Sequence, residues 1–591
     1  MGAISGIFSF EAKRPVDPAV LERMSSTMRH RGPDGSTIWV DGCVGFAHRV
    51  LNVEHEAGGR QPLTNPSGTI SVAFTGQIFN RGALRRELEG SGAALSSGSD
   101  ADVLLRCYER YGERCVERLN GQFAFAVWDA PTNTVLLARD AIGICPLHYA
   151  IVGGELIFSS EAKGILAHPD VSAASDDEAV AEALLCGAVF GNKSMFAGVK
   201  TVGPGATVTV GMTGCRTSVY WTVPRERIAT PAQDDSVYLS QLPELLHDAV
   251  ASRIDGNPWG VLLSGGTDSS ALTALAQRAA PEAVQTFSID FPSRWRGADV
   301  DTHYAALVAD ALATRHRSFE ADPEEYFDAV EKLAWYVERP YNKAAATMHV
   351  LTVRLAPYAA YVMSGEGMDE MLAGYVGARG LGLEDAGTVG EIRRFPWAPY
   401  VDTMDGLLSE EFRSRVRPLD LFKARLSDAL AQTAEADRLN QNLYLYTTYF
   451  LRELLALHEQ GSLAAGVETR FPFLDRRLVE FLAPLPSRFK YANSETKAIF
   501  RKAISGMVPE EVLDRRKTHL PMPRDPGAVR RQLEIARELL CAPTSRTARY
   551  FDSQRLAGFL SSQAVGRDML TTWQISMNLI TLELLHRRFD V

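Results

Sequence analysis

The sequence has few cysteines, no long apolar run and no excess of positive charge, and each absence excludes a class of protein. Its seven cysteines, among 591 residues, are scattered and form no C-x-x-C pair, so neither a disulfide framework nor a zinc site is expected. No stretch reaches the roughly 18 apolar residues of a membrane span, and the N-terminus lacks the basic and apolar regions of a signal peptide. These absences predict a soluble, cytoplasmic protein.

The charge balance argues against a further class. With 62 basic and 72 acidic residues, the formal net charge is -10. Nucleic acid is therefore not expected as the main partner, because phosphate backbones attract basic surfaces. A nucleotide pocket stays possible, since it needs only local positive charge.

The length of the chain and its pattern of predicted strands and helices indicate two domains. At 591 residues the chain is too long to fold around a single hydrophobic core. Up to about residue 215, short apolar strands such as 123–128 predict a β-rich domain, with helical patterns at 101–119 and 177–186. The polar, proline-containing segment 224–236 is the predicted linker.

From residue 236 to 591 the pattern changes to strands that alternate with helices. Apolar strands at 259–263, 284–291 and 361–363 are separated by helical segments. This alternation predicts a parallel sheet with helices on both faces, and the rest of the chain reads as mainly helical.

A Gly-rich turn between an apolar strand and a helix is the strongest chemical signal. The segment Val261-Leu-Leu-Ser-Gly-Gly-Thr-Asp-Ser-Ser270 places backbone N–H groups at a helix N-terminus, where the helix dipole favours an anion. Asp268 would be repelled by a bare phosphate, which indicates a Mg²⁺ between carboxylate and phosphate. An ordinary turn with Asp268 as a helix cap is the alternative. The residues that allow close approach or donate hydroxyl groups are Ser264, Gly265, Gly266, Ser269 and Ser270.

A second turn of the same kind follows the strand at 361–363. In Val362-Met-Ser-Gly-Glu-Gly-Met-Asp-Glu370 a Gly-interrupted acidic segment again leaves a strand. Both turns are then expected at the carboxyl ends of parallel strands, where ligands bind. Asp268 and Asp369 are placed to hold one Mg²⁺ from two sides, and Glu366, between two glycines, is expected to face the reacting atoms.

These turns belong to an ordered set of motifs that carries a family resemblance. With Gly466-Val-Glu-Thr-Arg-Phe-Pro-Phe-Leu-Asp475 and Glu495-Thr-Lys-Ala-Ile-Phe-Arg501, they resemble the synthetase domain of the asparagine synthetase superfamily. The N-terminal segments at 29–35, 75–80, 98–100 and 159–163 resemble its glutamine amidotransferase domain. The resemblance spans nearly the whole chain and is weakest from about 376 to 450.

The resemblance implies a fold and a reaction. Residues 1–215 would form an αββα sandwich of the N-terminal-nucleophile type. Residues 236–591 would form an α/β ATP-pyrophosphatase-type domain, a parallel sheet with a helical C-terminal part. In the implied reaction a carboxylate attacks the α-phosphate of ATP and releases pyrophosphate. An amine then opens the acyl-adenylate and releases AMP.

The resemblance also implies roles for individual residues. Asp268 and Asp369 would hold Mg²⁺. Lys497, which from its local sequence alone is a solvated helix residue, would neutralise charge on the departing phosphates. The nucleotide site would be lined by Leu263, Ser264, Ile289, Ser364 and Gly365.

Two glutamates are candidates for proton transfer. Glu366 is the candidate base for the incoming amine, and a carboxyl of ordinary pKa, about 4.3, would need tuning by burial or hydrogen bonding. Glu459 lies where relatives often carry another acidic residue. It either supports that base or is a surface carboxylate.

The chain departs from the family at the first pocket. Glutamine-using members open with Met-Cys, and that cysteine hydrolyses glutamine to supply ammonia, whereas this chain has Gly2. The stretch Thr75-Gly-Gln77 replaces the family's Asn-Gly-Glu. Arg49, Gly98 and Asp100 persist as a partial remnant. A domain without a side-chain nucleophile predicts no glutaminase activity.

Something other than internally made ammonia must then attack the adenylate. Members without the cysteine include β-lactam synthetases and lasso peptide cyclases, and both close rings within one substrate, where proximity replaces an ammonia channel. Three features favour the cyclase: Glu366, where β-lactam synthetases carry a tyrosine; small residues at 342–347; and aromatic segments at 395–400 and 444–450. A plain helix start and ordinary core aromatics are the alternatives for the last two.

The hypothesis is a Mg·ATP-dependent lasso peptide cyclase that acts on a leader-free core peptide. A leader-binding protein and a leader peptidase would act beforehand and are possible partners. The rivals are a β-lactam-forming synthetase, an ammonia-dependent amide synthetase and a non-catalytic nucleotide-binding scaffold.

Overall fold

A computed structural model of the chain describes two domains that pack against each other. Within the described residues, the N-terminal domain is a four-layer sandwich and the C-terminal domain is a parallel sheet surrounded by helices. The described residues are 1–11, 14–51, 60–225, 235–292, 301–341, 343–375, 400–515, 526–561 and 569–591.

Two six-stranded antiparallel sheets form the centre of the N-terminal domain. The first sheet has the strands, from edge to edge, Lys200–Thr201, His148–Val152, Glu155–Ser159, Gly2–Ser9, Val44–Val50 and Gly35–Asp41. The second has Gly214–Val219, Ala206–Gly211, Thr134–Arg139, Gly121–Asp129, Ile70–Ile78 and Leu63–Thr64. Residue 215, the predicted end of this domain, falls inside the first strand of the second sheet.

The sheets pack face to face, and helices cover their outer faces. Phe8 and Phe46 of the first sheet share an apolar cluster with Val135 of the second. Helices Pro18–Ser26 and Ala162–Leu166 cover the first sheet, and Arg81–Gly90 and Asp100–Tyr111 cover the second. Central strands are buried on both faces, which explains the unbroken apolar run in 123–128. The predicted αββα fold is confirmed.

The two helices expected in this domain form, with one difference. Asp177–Cys186 has the predicted bounds and is capped by Asp176, whose side chain accepts from the Ala179 N–H, and by left-handed Gly187. The single helix predicted over 101–119 is wrong. An α-helix ends at Tyr111, where Gly112 takes a φ of 59°, and a 3-10 helix continues over Gly112–Arg118.

The C-terminal domain contains a five-stranded parallel sheet. Its strands are, in order, Arg315–Glu320, Gln285–Asp290, Trp259–Leu262, Tyr361–Met363 and Glu468–Arg470. The three central strands confirm the predicted parallel sheet. The two edge strands are not predicted because Arg315–Glu320 is polar and partly exposed, and Glu468–Arg470 is short.

Helices make up most of the rest of this domain. They span Asp235–Ala251, Thr267–Ala279, Asp301–Ala311, Pro323–Val337, Lys343–Leu355, Met368–Met371, Val401–Leu407, Glu410–Val416, Pro418–Ala431, Arg438–Leu445, Leu451–Leu463, Arg476–Leu482, Ser487–Lys490, Ala498–Ala503, Glu510–Leu513, Pro526–Leu540, Ser553–Phe559 and Met569–Phe589. Tyr446–Phe450 is a π-helical turn, Pro472–Leu474 and Ala548–Tyr550 are 3-10 turns, and Tyr491–Ala492 pairs with Glu495–Thr496.

The two domains share apolar cores. One cluster contains Leu184 of the first domain with Leu426 and Trp573 of the second, and the rings of Phe190 and Phe422 lie 5.9 Å apart across the boundary. Most of the predicted linker, residues 226–234, lies outside the described residues, and the second domain begins with the helix Asp235–Ala251.

Two expectations from composition can be compared with the structure. All seven cysteines are free. Within the described parts of the chain, every helix is too short or too polar to cross a lipid bilayer.

Candidate active site

The Gly-rich turn lies between the strand Trp259–Leu262 and the helix Thr267–Ala279. Gly265 has a φ of 72°, and a Cβ there would lie 2.5 Å from the Ala305 backbone nitrogen, so the turn requires glycine. A Cβ on Gly266 would meet only the Ser264 Oγ, at 3.4 Å. The hydroxyl oxygens of Ser264 and Ser269 lie 3.0 Å apart, and the Ser264 N–H donates to Ser269 Oγ at 3.1 Å. The turn is thus held by its own serines.

Asp268 is not the helix cap that the alternative predicted. The N-cap of the helix is Gly266, which has no side-chain capping bond, and Asp268 lies inside the first helical turn. Its carboxylate faces Lys497 instead, with distances from Lys497 Nζ of 2.7 Å to Oδ1 and 2.6 Å to Oδ2. The residue is therefore available for chemistry at the end of the strand.

The second acidic turn packs directly on the first. A Cβ on Gly365 would lie 3.2 Å from the backbone carbon of Asp268 and 3.3 Å from the Ser269 nitrogen. The Ser364 N–H donates to the Arg470 carbonyl at 2.9 Å, which extends the pairing with the neighbouring edge strand. Both turns thus lie at the carboxyl ends of adjacent strands, as the sequence predicts.

Lys497 joins the two turns. Its Nζ lies 2.6 Å from an Asp369 carboxylate oxygen as well as 2.6 Å from Asp268, and the residue is 5% exposed. Burial disfavours the ammonium ion, but the two carboxylates outweigh it and raise the pKa of Lys497. Lys497 itself has a φ of 57° and precedes the helix Ala498–Ala503. The interpretation of Lys497 as a solvated helix residue is wrong.

The two aspartates also suit a divalent cation. Carboxylate oxygens are the preferred ligands of Mg²⁺, which is commonly held by one or two carboxylates and the phosphates of its substrate. Here Asp268 and Asp369 already converge on one cationic atom. In the described part of the chain, no group of three or more His, Cys, Asp and Glu side chains could hold a metal ion by itself. The donor set therefore fits a Mg²⁺ that phosphate oxygens complete.

Glu366 lies at the edge of this centre and faces a histidine. The side chain is 27% exposed, and its Oε1 lies 3.8 Å from Nδ1 of His458. Burial lowers the pKa of His458 to about 4, so its imidazole is neutral at pH 7. Next to it, the fully buried Glu370 accepts a 2.6 Å hydrogen bond from the Tyr375 hydroxyl. Sequence reasoning missed these neighbours, because no motif marks them.

Glu459 lies in the interior, and its carboxylate contacts are with Arg31. It is completely buried, and both carboxylate oxygens accept from the Arg31 guanidinium of the first domain, Oε2 at 3.0 Å. The alternative of a surface carboxylate is wrong. Its role beside the base stays a prediction, and the contacts that the structure gives it are those of an interdomain ion pair.

The predicted lining residues lie around the first turn. Leu263 is buried, and its N–H donates to the Phe287 carbonyl on the neighbouring strand at 2.8 Å. Ile289 lies on that same strand and is 4% exposed. Arg515, which the sequence did not single out, donates to the Gly265 carbonyl at 3.1 Å and pairs with Asp301. The hydrogen bonds of Leu263 and Arg515 thus hold the backbone of the turn in place.

The region around Gly2 has no room for a side chain. A Cβ at residue 2 would lie 1.9 Å from the Arg49 carbonyl oxygen of the paired strand. The Gly2 carbonyl accepts from Arg31 Nε at 3.2 Å and from the Thr75 hydroxyl at 3.1 Å. Asp100, a remnant of the pocket, accepts from the Ile78 N–H at 3.0 Å. Asp100 thus contacts the backbone of a neighbouring strand.

The segments that favoured a peptide substrate are described only in part. Residues 395–399 and Asn342 lie outside the described residues, and 343–347 begin the helix Lys343–Leu355. At the other segment, the Tyr446 and Phe450 rings lie 5.3 and 5.8 Å from the ring of Tyr375. This aromatic cluster is adjacent to Glu370 through the Tyr375 hydroxyl.

Comparison with known proteins gives two family matches. Residues 241–587 match the asparagine synthase model, and residues 1–221 match the glutamine amidotransferase domain model. Glutamine-hydrolysing asparagine synthetase 3 of Bacillus subtilis (strain 168) is 30% identical, over 89% of this chain and 88% of that protein. Asparagine synthetase 1 of the same organism is 28% identical, over 85% and 84%.

Solved structures align more distantly. The glutamine phosphoribosylpyrophosphate amidotransferase of B. subtilis, complexed with ADP and GMP, aligns with a TM-score of 0.29 and 15% identity. That alignment covers 54% of this chain and 65% of the other.

The fold, the two acidic turns and the matches together define an ATP-dependent amide-forming ligase. The asparagine synthase match extends over more than half of the residues, and a relative at 30% identity aligns along nearly the full length. The chain belongs to the asparagine synthase family, whose members use ATP.

Proposed function

We propose that the chain is a lasso peptide cyclase. It adenylates an Asp or Glu side chain of a leader-free core peptide, and the peptide's own N-terminal amine then opens the adenylate to form a macrolactam. AMP and pyrophosphate are released. The observation that carries the proposal is the contrast between the sites: Glu366 and the Asp268–Lys497–Asp369 centre are intact, whereas residue 2 cannot hold a nucleophile.

The centre supplies groups suited to the adenylation step. Asp268 and Asp369 would hold Mg²⁺, which when bound neutralises charge on the phosphates. Lys497 is a permanent cation at this place, because the two carboxylates keep it protonated. The N–H groups at the helix N-terminus of the Gly265 turn would bind an anion there, which would position the phosphates beside the lysine.

Glu366 is the proposed base of the second step. An N-terminal amine that attacks the acyl carbon must lose a proton, and the carboxylate of Glu366 accepts it. The neutral His458, 3.8 Å away, adds no competing positive charge. Holding amine and adenylate in one pocket supplies the effective concentration that an ammonia source would otherwise supply.

A Glu366→Gln variant separates the two steps. It removes the base and keeps the shape, so we expect macrolactam formation to fall by about 10²- to 10⁴-fold, while exchange of labelled pyrophosphate into ATP persists. Both are measured with the same leader-free peptide, and the product is identified by loss of one water and a blocked N-terminus. Equal loss of both activities would place Glu366 in adenylation instead.

The second candidate is an ammonia-dependent amide synthetase. The identity to glutamine-hydrolysing asparagine synthetases along the full chain favours it. Pyrophosphate release from Mg·ATP with free aspartate and ammonium, in the absence of peptide, would establish this function and exclude the cyclase. A leader-binding protein and a leader peptidase are partners under the first proposal only.

A further inference from the structure

A polar cavity lies between the two domains, lined by residues that the proposed reaction does not use. Its internal volume is about 40 Å³. The first domain contributes Arg139, His148 and Lys193, and the second contributes Arg339 and Arg452. Basic side chains from both domains thus line one cavity.

The carboxylates around the cavity are already engaged. Glu453 accepts from Arg339 Nη1 at 2.8 Å. Glu338 accepts from the backbone N–H groups of Ala162 and Lys163, at 2.7 and 2.6 Å. Glu182, which lies behind Lys193, pairs with that lysine at 3.0 Å. These carboxylates are therefore already engaged by Arg339, by Lys193 and by backbone N–H groups.

Two arginines at the cavity form no ion pair with a carboxylate of the residues that the structure describes. Within the described residues, Arg139 donates to backbone carbonyls alone, among them Val202 at 3.1 Å. Arg452 makes no hydrogen bond or ion pair with any part of the chain that the structure describes. Desolvation lowers the pKa of both guanidinium groups, and neighbouring arginines lower it further, while Asp140 opposes the shift at Arg139 and Glu453 opposes it at Arg452. Two guanidinium groups, one from each domain, that form no ion pair with a described carboxylate favour a bound anion.

Two polar atoms at the cavity also lack partners. His148 is 2% exposed, and its Nε2 has no hydrogen-bond partner among the described residues, while Nδ1 contacts the Thr201 hydroxyl at 3.1 Å. Nε of Arg339 is also buried and has no hydrogen-bond partner among the described residues. Buried polar atoms are normally satisfied, so their occurrence together at a basic cavity indicates a ligand.

We propose that this interdomain cavity binds a small oxyanion, a phosphate or a carboxylate, held by Arg139, Arg339 and Arg452. Guanidinium groups bind both chemistries through paired N–H donors. Because both domains supply a donor, the bound anion would stabilise their association. The inference does not depend on which amide the enzyme makes.

The test uses the full chain and two probes, inorganic phosphate and succinate, titrated by calorimetry at constant ionic strength. We expect one or both to bind and to raise the thermal unfolding temperature. Arg452→Gln should weaken that binding by about tenfold, the effect of one lost charge-assisted contact. Arg546→Gln is the matched control, because Arg546 pairs with Asp590 at an exposed site elsewhere, and it should leave the affinity unchanged.

Fold integrity has its own readout. In chloride buffer without either probe, Arg452→Gln should unfold at or above the wild-type temperature, since Arg452 makes no hydrogen bond or ion pair with the described residues that the change would remove. Arg452→Lys keeps the charge and should retain more of the binding than Arg452→Gln. Absence of binding by both probes would overturn the proposal. So would binding that Arg452→Gln leaves unchanged, which would place the anion at the Gly265 turn.

Discussion

At the scale of single residues, Lys497 is the side chain on which the candidate site depends. It is buried, and two carboxylates, one after each of two adjacent strands, share its ammonium group. Replacing one partner of a buried ion pair leaves the other charge buried and unpaired. The loss of stability then exceeds the net stabilisation that the pair itself contributes.

We therefore expect Lys497→Met to abolish amide synthesis and to lower the free energy of unfolding by about 3 kcal/mol. Mg²⁺ should then raise the unfolding temperature more in the variant than in the wild type, because Asp268 and Asp369 are left without their cation. Thermal unfolding with and without Mg²⁺ measures this.

A nearby buried lysine supplies the control. Burial lowers the pKa of Lys490 to about 7, and Lys490 hydrogen-bonds Asn440 and the Ala483 carbonyl rather than a carboxylate. Lys490→Met should keep synthesis and show no added response to Mg²⁺. The same Mg²⁺ response in both variants would refute the assigned site.

At the scale of elements, the strand-to-helix turn depends on one glycine of its pair. Gly265→Ala would place a Cβ 2.5 Å from the Ala305 nitrogen at a φ of 72°, whereas Gly266→Ala meets only Ser264 Oγ at 3.4 Å. We expect the first variant to lose at least about 1 kcal/mol of stability and most of its ATP affinity. The second should unfold close to the wild-type temperature. Nucleotide titration and thermal unfolding of the pair test this, and identical behaviour would contradict it.

At the scale of the whole molecule, a buried ion pair connects the domains. Arg31 touches the Gly2 carbonyl, Glu161 and Glu459, and it is wholly buried. Arg31→Met should cost about 3–5 kcal/mol because Glu459 keeps an unpaired charge. The double variant Arg31→Met/Glu459→Gln should recover part of this loss. Chemical denaturation of the single and double variants gives the coupling energy, and strict additivity would show that the two residues do not interact.

A second interdomain carboxylate, Asp475, makes the stability of the protein depend on pH in acid. Burial opposes ionisation of Asp475, but Arg253 and Arg477, with a 3.0 Å hydrogen bond from Asn120 of the first domain, lower its pKa to about 2. Since the folded pKa is below the unfolded value of about 3.9, its contribution of about 2 kcal/mol is full above pH 4 and is lost as the pH falls toward 2. The stability difference between wild type and Asp475→Asn should therefore shrink over that range. A difference that stays constant from pH 6 to 3 would rule this out.

The sequence predicted those elements that are stabilised by residues close together in the chain. The three central strands, the Gly265 turn and the helix Asp177–Cys186 follow from apolar runs, glycine at positive φ and capping residues close in sequence. The edge strand Arg315–Glu320 escaped prediction because half-exposed polar residues carry no hydrophobic period.

By itself, then, the sequence determined the two-domain architecture, the paired acidic turns and the loss of a nucleophile at residue 2. Only the tertiary structure decided that Lys497 lies between Asp268 and Asp369, that Glu459 is buried against Arg31, and that His458 faces Glu366. Lys497 and Asp268 are 229 positions apart. Contacts over such separations depend on how sheets and helices pack, and no local pattern of residues encodes them.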